Sequence, residues 1–267
     1  MGKLGKLSKA IKILKSKPHL INQVLEHDSV YKDLVHSEYG FEKGLPVIAF
    51  DDIVTESSLP NYLFLDGGSL ITDLLLLRSL AKATANCQYF EIGTWRGESC
   101  VNVVDFTDKC FTFNLPAEAI KELGHDQIYL DQLELLSKSN PKITSVKGNS
   151  LHADFSQFDI QPNLVFIDGD HHSKAVASDS KKIFEWVDPE ATTIVWHDYG
   201  NSPEKVRWSV LKGILDGLPK EEHQYLYQVA NTKCAIYTRK KFTTTELNWP
   251  STPRINFAPQ INLNKLD

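Results

Sequence analysis

Apolar positions along the chain fall into short continuous runs, separated by longer stretches in which they recur every third or fourth residue. That alternation predicts strands and helices taking turns. Residues 1–17 put Leu4, Leu7, Ile11 and Leu14 at helical spacing among Lys3, Lys6, Lys9, Lys12, Lys15 and Lys17, a basic amphipathic helix that Pro18 ends. A second helical stretch covers about residues 19–27 and leads into an irregular segment through Gly40, Gly44 and Pro46. After a turn at Asp66, Gly67, Gly68 and Ser69, the dense leucines of 70–84 predict a largely buried helix. Apolar runs predict strands at 88–92, 110–115, 143–146, 163–167 and 192–196. Between and after them lie helical stretches at 99–106, 115–139 with a break near Gly124, 173–187 and 203–215. Two further strand runs, 224–229 and 234–238, are joined only by Ala230 to Lys233, a loop short enough for an antiparallel hairpin.

These elements predict an α/β fold: a doubly wound, mostly parallel sheet with helices on both faces and a terminal antiparallel hairpin. The boundaries read as an N-terminal helical and irregular extension over 1–65, a main domain over 66–241, and a proline-bearing polar tail over 242–267 that is an extended wrap or a mobile end. Composition adds little that is exceptional. A chain of 267 residues with 42 % apolar content can bury a substantial core in one large domain. The net charge of −5 gives no general reason to expect nucleic acid. Cys87, Cys100, Cys110 and Cys234 lack zinc-like or disulfide-like spacing, which points to a reduced compartment. With no leader-like segment and no apolar run of membrane-spanning length, a cytoplasmic location is expected. The basic first helix could lie on an anionic membrane surface or against a partner. It could equally be a terminal helix packed on its own domain with its lysines in water.

The chemistry gathers at predicted strand ends. The stretch YFEIGTWRGES, Tyr89 to Ser99, is a strand, a glycine turn and a helix start. That context lets a ligand approach the backbone at Gly93 and Gly97 and the first amides of the following helix. In an open α/β sheet the carboxyl ends of neighbouring strands converge on one crevice. Glu91, Asn114, Asn149, Asp168 and Asp198 would therefore line a single site, Glu91 pairing with a cationic amine or accepting from hydroxyls. Asp168, Asp170, His171, His172, His197 and Asp198 form the densest group, suited to a divalent metal, to general acid/base work, or to both. Asp170 could instead simply cap the helix that follows it, and Asn149 and Ser150 could be ordinary turn residues.

With these residues placed, the chain resembles the class I S-adenosylmethionine-dependent methyltransferases over about 66–239. EIGTWRGES, LVFIDGDHH and TIVWHDYG are most similar to the small-molecule O-methyltransferases of catechol type and related bacterial families. The resemblance implies a seven-stranded Rossmann-like sheet and S-adenosyl-L-methionine as cofactor. It implies that Glu91, Gly93, Thr94, Gly97 and Ser99 surround the methionine part, that Asn114 meets the ribose, and that Asn149 and Ser150 lie on the adenine side. Asp168 would lie between cofactor and metal, with Asp198 a second ligand of Mg2+ or another divalent cation. His171 stands where the catechol-type enzymes carry the lysine that takes the substrate proton, with His197 and Asp170 as further catalytic candidates. The sequence departs from that pattern at Trp95, in the glycine loop, at Asn114, where an acid is usual, and at Tyr199, in the place of a third metal ligand, for which Asp170 and Asn201 are the alternatives. The activity implied is O-methylation of a small hydroxylated acceptor such as a sugar or secondary metabolite, by a chain that leaves room for an oligomer. The competing readings are a non-catalytic methyltransferase-like module docking through the first helix and a nicotinamide-dependent dehydrogenase. The absence of a GxGxxG pattern and the closing hairpin oppose the dehydrogenase.

Overall fold

The computed structural model describes residues 2–18, 20 and 27–265. Two helices, α1 (Lys3–Ser16) and α2 (Asp28–Tyr39), precede the short strand β1 (Val47–Ile48). Then come α3 (Ile71–Ala83), β2 (Gln88–Ile92), α4 (Glu98–Val103), β3 (Lys109–Asn114), α5 (Ala117–Glu122), α6 (Gln127–Asp131) and β4 (Ile143–Lys147). The second half runs β5 (Leu164–Ile167), α7 (Ser173–Trp186), β6 (Thr193–Trp196), β7 (Gly200–Ser202), β8 (Lys205–Val206), α8 (Trp208–Gly217), β9 (Leu226–Val229), β10 (Ala235–Tyr237) and β11 (Thr244–Thr245).

Nine strands form one sheet in the order β11-β1-β9-β10-β6-β5-β2-β3-β4. From β6 to β4 every neighbouring pair is parallel, and β10 runs antiparallel to both β6 and β9. These seven strands, β9 through β4, are the expected doubly wound sheet with its closing hairpin, the Rossmann-like arrangement of a class I methyltransferase. Two strands lie outside that expectation. β1 from the extension pairs parallel with β9, and β11 from the tail pairs antiparallel with β1. The segments on either side of the main domain thus close one edge of its sheet instead of standing apart from it.

Side chains alternate across the strands into two cores. Phe90, Ile92, Val165, Ile167, Ile194 and Trp196 pack on the face covered by α7 and α8. Tyr89, Leu164, Phe166 and Val195 join the leucines of α3 and Val103 of α4 on the other face. Strands buried on both faces read as continuous apolar runs, which is why their positions were legible. All four cysteines are buried and unpaired.

Other elements differ from expectation for local reasons. The span 19–27 lies outside the described residues except for Leu20 and His27, and α2 follows in the segment expected to be irregular. Only Val35 of α2 is buried, so its apolar period is faint. Gly40 ends it in the left-handed conformation with its N–H on the Val35 and His36 carbonyls. The predicted helix at 203–215 begins at Trp208, because 200–206 forms the small β7–β8 hairpin. The helix expected over 115–139 is reduced to α5 and α6 followed by turns.

Close packing of α7 on α8 depends on Gly213. A Cβ there would lie 2.6 Å from the Ser173 carbonyl oxygen and 2.7 Å from the Val176 Cβ. Gly213→Leu should therefore push the helices apart and lower stability by about 1–3 kcal/mol or more, as overpacking does. The check is a chemical denaturation midpoint compared with that of a control substitution at an exposed position of α7, Lys174→Ala.

Candidate active site

The carboxyl ends of β2, β3, β4, β5 and β6 lie side by side along one edge of the sheet. The turn after β2 is pinned from below by its neighbour. Gly93 has φ +88°, and a Cβ on it would sit 2.1 Å from the Asp168 carbonyl oxygen, so only glycine lets the two strand ends meet. Gly97 follows at the mouth of α4. Trp95 leans on Tyr129 with ring centroids 3.9 Å apart, and the Trp95 and Arg96 carbonyls accept from the Glu134 and Leu136 N–H groups. The loop is thus clamped by the 129–136 segment.

Glu91 does not open to the crevice. Alternation along β2 places it beside Tyr89, fully buried, where it accepts from the Tyr89 hydroxyl at 2.5 Å and the Thr94 hydroxyl at 2.8 Å. Burial pushes its pKa up to about 7, against hydrogen bonds from Tyr89, Ser99 and Thr94 that favour the carboxylate. The expected acceptor role toward hydroxyls is filled by the protein's own groups, and Glu91 braces the loop from inside. Asn114 performs a related task at the end of β3. Its amide donates to the Thr94 carbonyl at 2.7 Å and its oxygen accepts from the Leu115 N–H.

Asn149 lines a cavity of about 420 Å3 with Phe113, Val146, Gly148 and Phe158. Its side chain accepts from the Leu151 N–H in a turn, and Lys182 of α7 ties that turn down through the Ser150 and Ala153 carbonyls. Asp179 of α7 is buried, and burial pushes its pKa up to about 6.

The ends of β5 and β6 carry a dense charged cluster. His197 is buried, with Nδ1 2.9 Å from Asp168 Oδ1 and Nε2 3.1 Å from Asp73 Oδ2. A carboxylate only accepts, so both ring nitrogens donate and the ring is an imidazolium. Burial opposes that charge, but Asp168 and Asp73 outweigh it and raise the pKa to about 10. Asp73, completely buried in the first turn of α3, also accepts from the Leu70 and Lys233 backbone N–H groups. Asp198 takes the Lys233 ammonium on Oδ1 at 2.5 Å, while Oδ2 faces both Arg207 at 3.4 Å and His171 Nε2 at 3.2 Å. Burial would raise the Asp198 pKa, yet His197, Lys233 and His171 hold it below the usual carboxylate range. His171 is a third exposed, and burial lowers its pKa against the upward pull of Asp168 and Asp198.

Of the residues named from the sequence, Asp168, His171, His197 and Asp198 meet in one cluster. Asp170 stands outside it: its carboxylate closes a turn onto the His172 N–H and ring, as a helix-start residue does. Tyr199 is buried with its hydroxyl accepting from the Leu45 N–H, so it supplies no third ligand, and Asn201 is exposed on β7. Nor do the donors fit a divalent cation. Asp168 and Asp198 are bridged by His197, Lys233 occupies Asp198, and among the described residues no three His, Cys, Asp or Glu side chains are grouped to hold a metal. Sequence reasoning missed Asp73, Lys233 and Arg207. The one signal for Asp73 was a lone acid inside the leucine run ITDLLLL.

Residues 90–199 match the family model described as a methyltransferase domain, and the seven-strand order around them is that of the class I methyltransferase fold. Among solved structures the chain is similar to the methyltransferase PaMTH1 of Podospora anserina in its SAH-bound form, at 15 % identity over 66 % of this chain and 81 % of that one, TM-score 0.44. It is also similar to the O-methyltransferase of Bacillus cereus in complex with SAH, at 13 % identity over 70 % and 83 %, TM-score 0.40. Likenesses this distant carry nothing about the acceptor. No curated protein matches the chain.

Replacing His197 leaves Asp73 and Asp168 without their shared proton donor. His197→Leu should cost about 3–5 kcal/mol, the range for breaking a buried charge pair. The sign with pH follows from a raised pKa. The contribution is full below the unfolded imidazole pKa of about 6.5 and is lost as pH rises through about 10. Thermal melts across that window should fall more steeply for the native chain than for His197→Leu.

Proposed function

We propose that the protein is an S-adenosylmethionine-dependent O-methyltransferase acting on a small hydroxylated acceptor, with His171 as base and without a metal. One observation carries this reading: a neutral, partly exposed imidazole beside a carboxylate at the edge where the sheet's strands end. Groups of this chain support a cofactor site at this edge. The cavity walled by Phe113 and Phe158, with the Asn149 amide at its rim, suits a flat heterocycle. Asn114 keeps an N–H and a lone pair beyond its internal bonds for a ribose hydroxyl. Bound S-adenosylmethionine would supply an electrophilic methyl group on a sulfonium.

The acceptor hydroxyl is a poor nucleophile until its proton leaves. Asp198 is anionic and faces His171 Nε2, so the neutral ring carries its proton there and presents Nδ1 as the base. That nitrogen would take the hydroxyl proton as the oxygen gains the methyl group and the methyl–sulfur bond breaks to leave the neutral thioether, and Asp198 would stabilise the imidazolium. His197, already protonated and saturated, serves as a positioning residue that fixes Asp168 and Asp198. Lys233 and Arg207 supply the positive charge that a metal would otherwise place beside these carboxylates.

Titration calorimetry of the chelator-treated protein with S-adenosylhomocysteine should show binding unchanged by added magnesium. Lack of binding would overturn the methyltransferase reading and leave a non-catalytic module, and magnesium-dependent binding would overturn the metal-free one. His171→Ala should keep that binding and lower turnover by about 10²–10⁴, the usual contribution of general base catalysis. In the native enzyme the acid limb of the pH–rate profile should lie below the ordinary imidazole value of about 6.5, since burial lowers the His171 pKa, and it should vanish in the variant. Unchanged turnover in His171→Ala would remove it as the base.

A further inference from the structure

α1 has no buried residue, and Leu4, Leu7 and Ile11 are 83 %, 58 % and 46 % exposed. At helical pitch Leu4, Leu7, Ile11 and Leu14 fall within an arc of about 80°. Lys3, Lys6, Lys9, Lys12 and Lys15 step around the rest of the circumference and flank the arc on both sides. Residues 1–18 hold six lysines and no acid, which leaves 23 basic against 34 acidic residues, net −11, in the remainder of the chain. We infer that α1 is a docking element for an anionic lipid bilayer, lying in the headgroup plane with its leucine arc toward the acyl chains. Charge segregation selects the surface. The acidic remainder is repelled by anionic lipid while this helix is attracted to it, which favours approach helix-first and in one orientation. The apolar arc selects a bilayer over nucleic acid, because phosphate backbones need the lysines but offer nothing to four aligned aliphatic side chains. This inference is independent of the reaction proposed above.

Co-sedimentation of the full chain with phosphatidylcholine vesicles, with and without phosphatidylserine, tests it. The native protein should sediment with the mixed vesicles and stay in solution with pure phosphatidylcholine. Leu7→Glu/Ile11→Glu should reduce the bound fraction at least tenfold while leaving the melting temperature unchanged, since neither side chain is buried. Lys6→Gln/Lys9→Gln/Lys12→Gln should weaken binding as well. Equal binding to both vesicle types, binding to neither, or native-like binding by the leucine-arc variant would each overturn the assignment. Association with duplex DNA that needs the lysines and ignores the leucine arc would overturn it in favour of nucleic acid. Concentration-dependent dimers that disappear in the arc variant, without vesicle binding by the native chain, would overturn it in favour of a second copy.

Discussion

The interaction on which the site depends is the imidazolium of His197 held among buried carboxylates. It joins the end of β6 to the end of β5 through Asp168 and to the first turn of α3 through Asp73. Lys233, from the β9–β10 loop, completes the set on Asp198 and through its own N–H on Asp73. Four separate elements are thereby referenced to one proton-bearing ring. Burial makes this expensive for any member left alone, and that cost is what makes the arrangement specific. Asp73 and His197 lie in the dry interior, so moving either would strand a buried charge, and Asp168 and Asp198 are held in place through their contacts with His197.

A second constraint operates a few ångströms away, where β2 and β5 end. The Gly93 turn meets the Asp168 backbone so closely that the glycine loop and the acidic turn are one unit. Glu91, Thr94 and Asn114 then brace the loop from beneath, and the 129–136 segment clamps it from outside. A ligand at this edge would meet a surface already rigid, which reduces the ordering cost of binding. It would also find positive charge supplied by Lys233 and Arg207, so the cluster is close to neutral without any added ion.

The segments flanking the main domain contribute to the same construction. β1 and β11 extend the sheet beyond its hairpin edge, and Leu45 reaches Tyr199 just after the charged turn of β6. Tyr199 thereby anchors the extension to the end of β6. Chemistry at one strand end and architecture at the other edge are thus coupled through a single side chain.

Most of the sheet was legible in the sequence, because strands buried on both faces must be apolar throughout and the helices between them must carry a stripe. The same logic located the turns at Gly93, Asp168 and His197, where polar residues interrupt such runs. Period-two alternation also contains the fact that Glu91 shares a face with Tyr89, although a strand-end acid is more readily imagined facing a ligand. Asp73 left one trace, a lone acid in a leucine run, but its partners could not be read from it, and nothing local distinguishes Lys233 in a hairpin loop or Arg207 before a helix from a solvated cation. The sequence by itself determined the order of elements, the glycine turns and the side chains available for chemistry. Only the tertiary structure decided which of those charges face one another, because their protonation and pairing depend on distances and burial that arise when separate strand ends are brought to one edge.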